Sequence, residues 1–415
     1  MIQNIKRSFL SGELIIPPSK SDAQRAILCA ALSHGSSIIR NYGQSKDVLS
    51  MLENVEKLGA KLFYFEDELR IVGISDFPKN IELNVGESGL GLRLLAGVCA
   101  NNPGSQILTG DGSVLKRDQS FFEKYFPQNG VEVDLNNGKL PLEIKGQFGG
   151  GEIIVDGSES SQYISGLLMG LPLLELSSVL KVENSKSTPY ISMTLDTLRQ
   201  FGIEIDNDNF EAFVIDGNQK YEACDYTVES DWSSASYWLV AAALGNPLIL
   251  KGLNLDSKQA DIKMLEALSN ANCTISMKEN AIQIDGLLRQ AFEFDATDCP
   301  DLFPALVTLA CFCEGKTSIK GVSRLANKES NRGLVLQEEF GKLGVRIEIN
   351  DDVMYVFGGG ELKSNIVNSH NDHRIAMCIA IAATMIEDVV EINGAEAVSK
   401  SYPEFWEHLE MLTAG

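Results

Sequence analysis

Two hydrophobic patterns alternate along this chain. The first is a short helix with one apolar face, closed by Gly, then an amphipathic strand, a polar turn and a second strand. It runs through MLENVEKLGAKLFYFEDELRIVG, FFEKYFPQNGVEVDLNNGKLPLEIKG, TLDTLRQFGIEIDNDNFEAFVIDG, MLEALSNANCTISMKENAIQIDG and LQEEFGKLGVRIEINDDVMYVFGG. The closing residues are Gly59, Gly130, Gly202, Asn272 and Gly344, at spacings of 71, 72, 70 and 72. A left-handed helix cap favours Gly or Asn, so the one substitution keeps the geometry. A last helix, YPEFWEHLEMLTAG, reaches Gly415 after a further 71 residues.

The second pattern is a helix that is apolar on most sides, followed by a turn of small residues and one strand. Its strands end near Asn41, Gly110, Glu183, Gly252, Gly321 and Gly394, at spacings of 69, 73, 69, 69 and 73. Two independent landmarks share one period, which predicts six repeats. A unit of about seventy residues is longer than a solenoid repeat and holds two helices and several strands. Such a unit makes an α/β layer that cannot cover both of its faces alone. Six of them are expected to form two domains of three. The least repeat-like stretches, residues 1 to 18 and Tyr226 to Glu229, are the expected crossings. Domain I is placed at 1–16 with 229–415, comprising repeats four to six and the N-terminal strand. Domain II is placed at 17–228, comprising repeats one to three.

Composition narrows the function classes. A chain of 415 residues with 44% hydrophobic positions can bury large cores. Its first twenty residues lack an apolar stretch of signal-peptide type, and its longest apolar run, Ile375 to Ile386, is short of the ~20 residues of a membrane span. A cytoplasmic protein without membrane contact is expected. Eight cysteines are scattered along the chain, most of them in apolar stretches, and Cys311 and Cys313 have the wrong spacing for a metal knuckle or a redox pair. With four histidines and no clustered ligand motif, a catalytic metal is not expected. The net charge of -22 speaks against nucleic acid, whose phosphates need a basic face. A monomer is expected.

Against that acidic background the basic residues fall at special places. The apolar helices begin with PPSKSDAQRAIL, GESGLGLRLLAG, SESSQYISGLLM, ESDWSSASYWLV, TDCPDLFPALVT and SHNDHRIAMCIA. Ser and Asp there are ordinary N-caps, and helix starts also favour anions. Lys20 and Arg25 sit at the first start, Arg93 in the second, and His373 with Arg374 in the last. Lys116 and Arg117, Lys328 and Arg332, and Lys400 lie in loops after repeat strands. Arginine meets carboxylate and phosphate with a planar fork, and lysine supplies a mobile charge. This many cations fits two small anionic ligands held where two domains meet. Asp301 and Glu329 are acid–base candidates within the same set. Either could instead be structural, Asp301 as a helix cap and Glu329 as a loop salt bridge.

At these residues the chain resembles the EPSP synthase family of enolpyruvyl transferases over essentially its whole length. The most specific pieces are PSKSDAQRAILCAALSHGSS, SSQYISGLLMGLPL, DWSSASYWL, CPDLFPAL, NKESNRGLVLQEEFGKLG, NDHRIAMC and SKSYPEFW. The resemblance implies an inside-out α/β barrel fold, with two domains of three α/β units closing over a cleft that holds the active site. It implies transfer of the carboxyvinyl group of phosphoenolpyruvate to the 5-hydroxyl of shikimate 3-phosphate, in aromatic amino-acid biosynthesis. Shikimate 3-phosphate would be bound by Lys20, Ser21, Arg25, Ser160, Ser161, Gln162, Ser187, Tyr190, Asp301 and Lys328. Phosphoenolpyruvate would be bound by Lys20, Gly89, Arg93, Arg117, Gln162, Arg332, Arg374 and Lys400. Asp301, Glu329 and Lys20 would move protons, and the resemblance implies no metal or organic cofactor.

The chain departs from the family pattern in places. Glu87 and Leu90 stand where the loop N-x-G-T-x-x-R has Asn and Thr, Asp118 where proline is usual, and Asn331 where aspartate is usual. Two other readings are weighed. A UDP-N-acetylglucosamine enolpyruvyl transferase would carry a cysteine in the stretch GDGSVLKRDQ, which has none. A non-catalytic repeat protein would scatter its basic residues over solvent faces.

Overall fold

The computed structural model describes residues 1–66, 68–278, 281–286 and 289–413. Among these, the two sequence patterns become two kinds of helix, alternating along the chain. They are α1 (Lys20–Leu32), α2 (Lys46–Lys57), α3 (Gly89–Cys99), α4 (Ser120–Tyr125), α5 (Ser161–Gly170) and α6 (Thr188–Gln200), followed by α7 (Trp232–Ala243), α8 (Met264–Asn270), α9 (Phe303–Cys311), α10 (Arg332–Lys342), α11 (His373–Ala383) and α12 (Phe405–Thr413). The odd-numbered helices are the apolar ones. In α3, α9 and α11 every residue is buried, as a helix without a polar face requires. The even-numbered helices bury one stripe. In α2 that stripe is Val48, Met51, Leu52 and Val55 together with Asp47 and Asn54.

The caps sit where the period places them. Gly59, Gly130, Gly202, Asn272 and Gly344 all have positive φ, between 66° and 110°. Gly415 lies outside the described residues, as does the turn at 279–280. One helix is shorter than its pattern suggests: α4 stops at Tyr125, and a single 3-10 turn, Pro127–Asn129, follows. Pro127 has no N–H to continue the α-helical ladder.

Each repeat also holds a strand that the two patterns do not include. It leads into the apolar helix and pairs in parallel with the strand that follows, as Asn80–Asn84 pairs with Ser105–Thr109 across α3. The hairpin strands Val131–Asn136 and Lys139–Gly146 then add antiparallel on the far side. A parallel pair needs a crossover, which the apolar helix supplies. The leading strands are edge strands with mostly exposed residues, which is why hydrophobicity does not reveal them.

The chain divides into two compact units, Met1–Pro17 with Glu229–Gly415, and Pro18–Val228. In the second, the leading strand of the first repeat comes from the far end of the segment: Asp225–Thr227 pairs in parallel with Ser36–Arg40. In the first, Gly12–Ile15 leads the fourth repeat by pairing with Leu248–Lys251. Ile2–Ile5 closes the sixth repeat antiparallel to Val390–Asn393. Within the Pro18–Val228 unit, α3 and α5 cross with their backbones in contact. A Cβ at Gly97 would collide with the Gly166 carbonyl, and one at Gly166 with the Arg93 carbonyl. In the other unit α7, α9 and α11 pack on one another, and Thr308 Oγ1 donates to the Cys378 carbonyl at 3.2 Å.

No helix among the described residues is long and apolar enough to cross a membrane. All eight cysteines are free thiols and seven are buried, where desolvation raises their pKa and leaves them unreactive.

Candidate active site

Side-chain caps hold the starts of five of the six apolar helices. Ser19, Ser88, Ser160, Asp231 and Asp372 each accept a backbone N–H from the first turn. The exception is α9. Asp301 precedes it in a 3-10 turn, Pro300–Leu302, and its carboxylate is engaged by cations rather than by helix N–H groups. It is not a cap.

In the Pro18–Val228 unit, Arg25 is 1% exposed, and its guanidinium is held by neutral oxygens. Nε donates to Thr194 Oγ1 at 2.8 Å, Nη1 to the Ser21 carbonyl at 2.7 Å and Nη2 to the Tyr190 carbonyl at 3.3 Å. Burial lowers its pKa to about 10, so it stays charged at neutral pH. Ser187 sits at the start of α6 in a left-handed conformation, φ 53°, and accepts the Tyr190 N–H at 3.1 Å. Ser21, Arg25, Ser187 and Tyr190 thus form one group. Lys20, at the first position of α1, pairs with Asp47 at 2.9 Å.

A second group in this unit gathers around Gly89. Arg93 Nη1 donates to the Gly89 carbonyl at 3.1 Å and to Gln162 Oε1 at 2.7 Å. Its guanidinium lies 4.7 Å from the centre of the Tyr163 ring, which stacks on Phe121 at 4.0 Å. A Cβ at Gly89 would stand 2.5 Å from Arg117 Nη1 and 2.8 Å from Arg93 Nη1, so two guanidinium groups converge on a residue that must lack a side chain. Ser160 caps α5 through the Gln162 N–H, and Ser161 follows it, buried. Of the residues departing from the family pattern, Leu90 turns into the apolar core. Asp118 accepts from Ser120 N and Oγ at 3.2 and 2.7 Å, just ahead of α4. Glu87 Oε2 accepts the Ser113 N–H at 2.8 Å.

The Met1–Pro17 and Glu229–Gly415 unit holds a denser network. The Arg332 side chain is fully buried. It bonds Asp372 through Nε at 3.0 Å and Nη2 at 3.2 Å, Asp301 through Nη1 at 2.9 Å and Glu329 through Nη2 at 2.6 Å. Asp301 also meets Lys328 at 3.2 Å and Arg374 at 3.1 Å. Burial acts to raise the Asp301 pKa, but Arg374, Lys328 and Arg332 outweigh it and hold the carboxyl well below its usual range. Burial lowers the Lys328 pKa. Lys400 donates to the Asn371 carbonyl at 2.6 Å, immediately before the Asp372 cap.

Several supporting residues carry no functional signal in the sequence. Asp47, Thr194, Ser165, Tyr163 and Phe121 read there as first-turn, helix-face or core positions. Asp372 reads as a cap, yet its carboxylate also anchors Arg332. Asp261, 1% exposed, accepts from Ser233 Oγ. Burial first, and then the Asp301 charge, push its pKa up to about 7. Among the described residues one acidic group, Glu338, Glu339 and His370, has metal-ligand spacing. Lys342 already lies 2.8 Å from Glu339 and 3.1 Å from Glu338.

Solved structures define the fold. The chain superposes on EPSP synthase from Acinetobacter baumannii with a TM-score of 0.82 at 23% identity, covering 99% of this chain and 98% of that one. It also superposes on the enolpyruvyl transferase NikO from Streptomyces tendae, with a TM-score of 0.79 at 18% identity, covering 99% and 97%. At these identities the likeness is one of fold, and the fold is that of the enolpyruvyl transferases. Sequence relatives narrow it further. A 3-phosphoshikimate 1-carboxyvinyltransferase of Clostridium beijerinckii is 38% identical, over 97% of this chain and 95% of the relative. One of Clostridium botulinum strain Alaska is 39% identical over the same shares. The family model for EPSP synthase (3-phosphoshikimate 1-carboxyvinyltransferase) matches residues 5–409. The chain belongs to the EPSP synthase family.

Proposed function

We propose that the two sets of residues divide the labour of one reaction, anion binding falling mainly to Lys20, Arg25, Arg93 and Arg117, and proton handling to Asp301 and Glu329. As a member of its family the chain is an enzyme. It transfers the carboxyvinyl group of phosphoenolpyruvate to the 5-hydroxyl of shikimate 3-phosphate and releases phosphate, in aromatic amino-acid biosynthesis. The hydroxyl oxygen adds to C2 of the enol as a proton goes to C3. Phosphate then leaves C2 as a proton is lost from C3.

The observation that carries the division is the chemistry of the partners. Arg25 and Arg93 are positioned by hydrogen bonds to neutral oxygens, which fix the direction of each guanidinium. That suits anion binding. Arg25, with Ser21, Ser160, Ser161, Gln162, Ser187 and Tyr190, takes shikimate 3-phosphate. Arg93 and Arg117, over the bare backbone of Gly89, take phosphoenolpyruvate together with Lys20 and Gln162. On the other unit, Asp301 is held ionised and accepts a hydrogen bond from the reacting hydroxyl, with Lys328 beside it. Arg332, Arg374 and Lys400 meet phosphoenolpyruvate, and Glu329 and Lys20 relay protons.

On this reading the protein acts in the cytoplasm as a monomer, on small molecules. Purified protein is expected to release phosphate only when phosphoenolpyruvate and shikimate 3-phosphate are both present. Turnover with UDP-N-acetylglucosamine in place of shikimate 3-phosphate would contradict the substrate assignment.

A further inference from the structure

The Glu87 side chain stands between the Gly89 loop and the turn that carries Arg117. Its carboxylate accepts the Ser113 N–H at 2.8 Å. Gly112, in a left-handed conformation at φ 54°, packs so closely on that carboxylate that a Cβ there would collide with it. Ser113 in turn accepts from Arg117 Nη2 at 3.2 Å through its hydroxyl. Arg117 is 9% exposed, and its other terminal nitrogen is the one that converges on Gly89. A backbone bond from Asp111 N–H to the Gly86 carbonyl, 2.7 Å, makes a second tie between the same two segments. A line of contacts therefore runs from the Glu87 carboxylate through Ser113 to the guanidinium.

We propose that Glu87 is a positioning residue for Arg117: its carboxylate fastens the 112–116 turn so that the guanidinium stands over Gly89 beside Arg93. An ionised acceptor holds a backbone N–H more firmly than a neutral one, which suits a turn that must present a cation in a fixed direction. This rests on the reading that Arg117 meets phosphoenolpyruvate.

The test is steady-state phosphate release with phosphoenolpyruvate titrated at saturating shikimate 3-phosphate. Glu87→Ala, Glu87→Gln, Arg117→Ala and the double variant Glu87→Ala/Arg117→Ala are compared, with thermal unfolding confirming that each is folded. Glu87→Ala is expected to raise KM for phosphoenolpyruvate about tenfold with kcat within about threefold of the parent. Glu87→Gln keeps an acceptor oxygen and should recover most of that loss. The double variant should be no worse than Arg117→Ala alone, because the carboxylate acts through the arginine. An unchanged or lowered KM in Glu87→Ala, or losses that multiply in the double variant, would overturn the proposal. Amide exchange at Ser113 separates the two layers. It should quicken in Glu87→Ala whatever Arg117 binds, so an unchanged KM in Arg117→Ala with faster exchange would sink the binding role and leave the tie standing.

Discussion

Arginines of the two units are held in opposite ways. In the Pro18–Val228 unit, Arg25 and Arg93 lean on hydroxyls, carbonyls, an amide and an aromatic ring. In the other unit, Arg332 and Arg374 are locked to Asp301, Glu329 and Asp372. Both arrangements fix a guanidinium in space. Neutral partners leave its charge available to a ligand, whereas carboxylate partners use it to keep acids ionised. The same repeat thus gives arginines held by neutral groups in one unit and a network of arginines and carboxylates in the other.

The contrast is broken most severely by removing a carboxylate from under Arg332. Both Arg332 and Asp372 are completely buried, and Asp372 also caps α11. Asp372→Ala should lower stability by about 3–5 kcal/mol, as for other broken buried pairs, measured by urea unfolding. A loss under about 1 kcal/mol would mean that Glu329 and Asp301 suffice for Arg332. A smaller effect is expected where neutral groups do the positioning. Gly166→Ala would force α5 away from the Arg93 carbonyl, costing about 1–3 kcal/mol and weakening phosphoenolpyruvate binding as Arg93 and Gln162 part. Loss of stability with an unchanged KM would show that the helix crossing does not set the guanidinium.

A further expected effect concerns pH, and here two aspartates of one unit, Asp261 and Asp301, differ in sign. Asp261 titrates near 7 in the folded protein and near about 3.9 unfolded, so from about pH 4 to 7 the unfolded chain releases a proton that the folded one keeps. Stability therefore falls as pH rises through that window, by at most about 1.4 kcal/mol per pH unit, and Asp261→Asn should remove that slope. Asp301 is held below its usual range, so its contribution is present at neutral pH and lost only as pH falls through that lower value. A slope that persists in Asp261→Asn would place the titrating group elsewhere.

Much of this is legible in the sequence. The period of about seventy residues locates five left-handed caps, because only Gly and Asn enter that conformation cheaply. The apolar helices and the cations near their starts are equally plain. The leading strands are not, since strands such as Asn80–Asn84 are mostly exposed. Nor are the distant partners of the cations, because Thr194, 169 residues from Arg25, and Asp372, 40 residues from Arg332, meet them only through the fold. Glu87 and Leu90 both read as departures beside a binding loop. The fold separates them, sending Leu90 into the core and giving Glu87 a bond to the next loop.

The division of labour is tested most directly by phosphate release with both substrates titrated, comparing the parent protein with Arg93→Met and Asp301→Asn. Arg93→Met is expected to act mainly through KM for phosphoenolpyruvate. Asp301→Asn is expected to lower kcat on the order of 10²–10⁴-fold with KM values changed far less. The reverse pattern, a kcat defect in Arg93→Met and a pure KM defect in Asp301→Asn, would contradict it.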